Sequence, residues 1–111
     1  MIEVFVLNYL RDSIGIPAYT EKEPDMPEEY FLIEKTGSGE ENYIKQATLA
    51  IKSYSTSLYK AALLNEKLKA AMKKIIELDD VSRCSLNSDY PYSDTSRKQY
   101  RYQAVFDITH F

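Results

Sequence analysis

The sequence has no tryptophan, one cysteine, one histidine, three glycines and four prolines. A lone Cys84 cannot close an internal disulfide, which fits a protein made in a reducing cytoplasm. With His110 as the sole imidazole, a histidine metal cage or a serine-type triad lacks converging partners, so a terminal surface histidine is the reading. Glycine clusters once, at Gly37-Ser38-Gly39. A phosphate-cradling loop needs more glycines and a Lys-Ser/Thr pair opening a helix, so this cluster reads as a hairpin turn. No apolar run approaches the roughly 18 residues of a membrane span. The start, Met1-Ile2-Glu3-Val4, lacks the basic opening of a signal peptide, so no secretion route is expected.

What is present suits one globular domain. The 111 residues are 44% hydrophobic and 28% charged, enough for one shared core but not two. A net charge of −3 disfavours non-specific nucleic-acid binding. Ten tyrosines form the main excess. Tyrosine is amphipathic and enriched on half-buried strands and at interfaces, so extensive strand surface and an assembly surface are expected.

Periodicity divides the chain. Ile2, Phe5, Val6, Tyr9 and Leu10 recur at helical spacing over residues 1–13, with Gly15 as a stop and Pro17 beyond it. Residues 16–20 read as a short strand. Residues 21–29 hold two prolines and five acidic residues and read as a solvated loop. Residues 30–36 and 43–54 read as strands joined through the glycine turn, by a connection longer than two residues. Residues 56–78 carry an apolar stripe through Leu58, Ala61, Leu64, Leu68, Met72, Ile75 and Leu78, capped by Ser55 or Thr56. Two more strands follow, 81–89 and 98–110. In the second, Tyr100, Tyr102, Ala104, Phe106 and Ile108 alternate with Arg101, Gln103, Val105, Asp107 and Thr109. Residues 88–96 read as an exposed arm. The fold class is α+β: a mostly antiparallel sheet of four to five strands, with a short N-terminal helix and one long helix on one face.

Candidate chemistry is sparse. Cys84 reads as a half-buried side chain, because its only conventional base is distant His110. Glu77, Asp79 and Asp80 read as a polar helix stop, since carboxylates without a full ligand set are weak evidence for a metal. Neither a cofactor nor a metal is expected, and no enzyme activity. The basic and aromatic run Arg97-Lys98-Gln99-Tyr100-Arg101-Tyr102 could contact single-stranded nucleic acid, but its alternation fits a sheet face better. The interaction candidates are the acidic loop with Glu21, Glu23 and Asp25, the arm with Tyr90 and Tyr92, and the basic trio Arg97, Lys98 and Arg101. The acidic loop and the basic segment are opposite in charge.

Several segments resemble a known group. The opening helix to Gly15, the proline-containing loop leading into Tyr30-Phe31-Leu32-Ile33-Glu34-Lys35-Thr36-Gly37, the Ala50-Ile51-Lys52-Ser53-Tyr54-Ser55 approach to the long helix, and Tyr100-Arg101-Tyr102-Gln103-Ala104-Val105-Phe106-Asp107-Ile108-Thr109 are similar to small tail-component proteins of siphovirus-type phages and of prophages in Gram-positive bacteria. The resemblance spans nearly the whole chain and is one of pattern and order. It implies a tail-terminator (tail-completion) protein of the virion tail, assembled in the host bacterial cytoplasm. Such a protein forms a homo-oligomeric ring, a hexamer, on the tail tube protein and presents a surface to neck or connector proteins for head joining. DNA passes only transiently through the lumen, and no membrane is involved. The resemblance carries no catalytic residues. A neck or head–tail connector protein is the alternative, and a small nucleic-acid-binding module a further one.

Overall fold

A computed structural model describes residues 2–41, 44–91 and 99–111. The elements follow in the order α1 (Ile2–Ile14), β1 (Ala18–Tyr19), β2 (Tyr30–Glu41), β3 (Ile44–Ser55), α2 (Leu58–Lys74), a single 3-10 turn (Ile75–Glu77), β4 (Val81–Pro91) and β5 (Tyr100–His110). The five strands form one sheet in the order β1-β2-β3-β5-β4. β1 lies parallel to β2, and the other three pairings are antiparallel. The fold is therefore the expected α+β arrangement, with a short N-terminal helix and one long helix.

Alternation along the strands decides which face is covered. Phe31 and Ile33 of β2, Leu49 and Ile51 of β3, and Ala104, Phe106 and Ile108 of β5 are all buried and share one side. Val6 and Leu10 of α1 and Leu64, Leu68 and Met72 of α2 complete the same core. A helix whose apolar residues recur every three or four positions has one stripe to bury, and this sheet face receives both stripes. The Tyr9 hydroxyl of α1 donates to the Ala71 carbonyl of α2, fixing the two helices side by side.

Helix ends obey local chemistry. Gly15 has φ +78, and its N–H donates to the Arg11 carbonyl at 3.0 Å, closing α1 where a side chain would be strained. Phe31 N–H donates to Pro17 O at 2.9 Å, so the proline that ends the helical region also starts the β1–β2 pairing. At α2 the cap is Ser57, neither Ser55 nor Thr56: its hydroxyl accepts the Lys60 N–H at 3.1 Å. Such a cap contributes about 1 kcal/mol. Ser55 remains in β3, where its hydroxyl donates to Glu29 at 3.0 Å.

The glycine cluster is not a turn. Gly37, Ser38 and Gly39 lie within β2, opposite Thr48, Ala47 and Gln46. The register shifts between Lys35 and Gly37, leaving Thr36 as a bulge whose hydroxyl donates to the Thr48 carbonyl at 3.3 Å. Pairing continues to Glu41 opposite Ile44, so only two residues separate the strands, fewer than expected. The glycines mislead because they are read as φ-permissive punctuation, yet of the three glycines only Gly15 has a positive φ. The fourth strand likewise runs to Pro91, taking in the start of the segment read as an arm.

Candidate functional site

The two helices cover one side of the sheet and leave the other side open. At one end of the open side, aromatic rings and cations are layered. Tyr30 and Tyr54 stack with centroids 4.4 Å apart and planes 10° from parallel, and Tyr19 meets Tyr30 edge-on at 6.0 Å. These rings come together because Tyr30 pairs across the sheet with Tyr54, and Tyr54 with Arg101. Arg101 donates to the Tyr54 hydroxyl at 2.9 Å. The Lys22 ammonium sits 5.1 Å from the Tyr54 ring and donates to Gln99 Oε1 at 3.2 Å. The loop after β1 is thereby held against the sheet by a cation–π contact and by the hydrogen bonds of Lys22 with Gln99 and of Ser55 with Glu29.

This accounts for several of the interaction candidates. Glu21, Glu23 and Asp25 are exposed on that loop. Arg101 is half-buried on the open side, and Tyr90 is exposed with its hydroxyl accepting from the Gln103 amide at 2.8 Å. Tyr92, Arg97 and Lys98 lie outside the described residues. Lys22 and Gln99 bring the acidic loop and the start of the basic-aromatic segment into contact within one chain.

The other end of the open side is polar. A depression of about 470 Å³ is lined by Gly37, Gly39, Thr48, Arg83, Ser85 and Asp107, among others. Asp107 accepts from the Thr48 hydroxyl at 2.9 Å and from the Asn87 amide at 3.1 Å, so it is already engaged.

On the helix side, a groove of about 540 Å³ runs between α2 and β4. Met72, Cys84, Leu86 and Phe106 line it, together with Glu66, Lys69, Lys73 and Lys74. Within α2, Lys69 bridges Glu66 at 2.8 Å and Asp89 at 2.9 Å, and the hydrogen bonds it donates to Glu66 and then to Asp89 raise its pKa. Asn65 is 1% exposed and donates to Asp89 at 3.0 Å, while its Oδ1 has no hydrogen-bond partner among the described residues. Its burial inside an apolar stripe has no sequence signal, because its partner comes from a distant strand.

The groups considered for chemistry are separated. Cys84 pairs opposite Ile108, and burial, then the Asp107 charge, push its thiol up to about 11. That keeps it protonated near neutrality, the reverse of an activated nucleophile. His110 pairs opposite Val81, with Nδ1 3.4 Å from the Phe111 carbonyl. Asp79 and Asp80 are exposed in the turn before β4, and the Asp80 carbonyl accepts the Phe111 N–H at 3.1 Å.

These shifts dictate an alkaline response. Burial, then the neighbouring Tyr54, lift Tyr30 from 10.0 to about 12, with Arg101 pulling the other way. Cys84 rises from 9.0 to about 11. Above their ordinary values both groups stay protonated when folded and lose protons when unfolded, so stability falls as pH rises. Their contribution is complete below about pH 9 and is lost progressively toward about pH 12. Urea midpoints measured across this range are expected to fall. Cys84→Ser should remove the lower part of the decline and Tyr30→Phe the upper part, whereas unchanged slopes in both variants would contradict the assignment.

Compared with known proteins, the chain matches no family model and no curated protein.

Proposed function

We propose that this chain is a structural virion-assembly protein that caps a siphovirus-type tail tube as a ring and prepares it for head joining. The resemblance in the order of segments supports this reading across nearly the whole chain. The supporting observation is the sheet itself. Its helices occupy one side only, leaving a broad strand surface and two unlike edges for other protein subunits. A sheet edge presents unpaired backbone donors and acceptors, which favour pairing with another chain. Unlike edges on one subunit permit head-to-tail contacts, and such contacts close into rings when the rotation allows.

The test is electron microscopy of tails assembled without this protein. Tubes of uncontrolled length that fail to receive heads are the expected result. Tails of normal length that join heads would refute the reading. Antibody labelling of complete particles separates the tube end from the neck: label confined to the connector would favour the neck role.

A further inference from the structure

α2 buries one stripe in the core and carries a second pattern on the side turned away from it. Tyr59, Leu63, Glu66 and Ala70 follow one another at alternating steps of four and three residues, which keeps them in one line along the helix. All four are exposed, Tyr59 at 73% and Leu63 at 47%. Steps of seven place Lys60, Lys67 and Lys74 in a second line beside the first, about 10 Å apart. These lysines are exposed too. Among the described residues, none of their ammonium groups has a hydrogen bond or an ion pair. The row borders a cleft of about 520 Å³ between α1 and α2. Tyr9, Ile14 and Ala71 line the cleft with Lys67 and Lys74, and no acidic side chain does.

We infer that this outer face of α2 binds an amphipathic helix of another protein, apolar along its contact stripe and acidic along the flank beside it. The inference goes beyond the tail reading and does not rest on it.

Charge sets the chemistry of the partner. α2 holds five lysines and a single acidic residue, Glu66, in a chain whose net charge is −3. Lys69 holds Glu66 at 2.8 Å and Asp89 at 2.9 Å, so both carboxylates are already compensated. Lys60, Lys67 and Lys74 have no such partner. Asp12 is exposed on α1, and Glu77, Asp79 and Asp80 are exposed after α2 ends. None of these four lines the cleft or bridges a lysine of the row. The row is left for carboxylates brought from outside.

Shape makes that partner a helix. A seam with steps of four and three, flanked by one charged line, is the pattern by which paired helices choose each other. Lysine stems lie along a partner's apolar side chains while their ammonium groups reach its carboxylates. Nucleic acid would answer the lysines and leave Tyr59 and Leu63 uncovered, whereas an amphipathic helix covers both lines. A second copy is the wrong occupant. Two α2 faces would set lysines against lysines, and α1 carries Arg11 with its Glu3 and Asp12 rather than an acidic flank.

The test uses the full chain and a fluorescently labelled synthetic peptide with leucine at heptad positions a and d and glutamate at e and g. Anisotropy should show that wild-type protein binds it, more weakly as salt rises. Lys60→Glu/Lys67→Glu should bind about tenfold more weakly and should prefer the same peptide with lysine in place of glutamate. Leu63→Ser should also weaken binding of the glutamate peptide about tenfold, and a peptide with serine in place of leucine should lose a similar factor on wild-type protein. The substituted side chains are all exposed, and urea midpoints close to wild type are the check that the variants fold. Absent binding of the glutamate peptide, or binding indifferent to the leucines or to the charge reversal, would overturn the inference. So would equal or tighter binding of a DNA duplex or of vesicles of anionic lipid, since the face would then be a general polyanion surface.

Discussion

Phe31→Ala is expected to lower the unfolding free energy by about 3–5 kcal/mol, a large share of the roughly 5–15 kcal/mol that stabilises a typical domain. Phe31 is fully buried on β2, between Ala18 of β1 and Ser53 of β3. Removing the ring takes apolar surface out of the centre of the core and leaves a cavity that strands held on both sides cannot fill by collapsing. It also loosens the packing of β1, which pairs with β2 at Phe31 and Leu32. Tyr59→Ala provides the contrast: Tyr59 is 73% exposed near the start of α2, and its loss should change stability by about 0.5 kcal/mol or less. Urea unfolding of both variants checks the pair. Equal costs would mean the covered face has been assigned to the wrong side of the sheet.

Local periodicity made much of this architecture legible. The spacing of Val6 and Leu10, followed by Gly15 and Pro17, reports a helix and its stop without reference to any other segment. The alternation from Ala104 to Ile108 and the stripe from Ala61 to Ile75 likewise need only their own periods. What escaped the sequence depends on partners far away. Gly37 and Gly39 join a strand because Thr48 and Gln46 stand opposite them, and glycine's local preference says nothing of that. Asn65 is buried because Asp89 reaches it from β4. The open edges were invisible for the same reason, since an edge exists only once the strand order is known. The acidic loop and basic segment were legible as charge, but their contact through Lys22 and Gln99 was not.

The tyrosine excess illustrates the same limit and supplies a sharp test. Composition suggests a surface rich in tyrosine, yet Tyr30 and Tyr54 are 5% and 3% exposed. They hold the fold together. Tyr54 stacks on Tyr30, lies beneath the Lys22 ammonium and accepts a hydrogen bond from Arg101. Tyr54→Ala should therefore cost about 3–5 kcal/mol, comparable to losing a buried phenylalanine. Tyr54→Phe keeps the ring and the stack but deletes the acceptor for Arg101, so its cost should be nearer 1 kcal/mol. The two variants should also differ in the loop over residues 21–29. Without the ring, Lys22 has no aromatic face to rest on, and amide exchange through that loop should accelerate. With phenylalanine the cation–π contact survives, and exchange there should stay close to wild type. Equal loop protection in both variants would mean that the Lys22–Gln99 and Ser55–Glu29 hydrogen bonds hold the segment, and that the ring serves only as buried bulk.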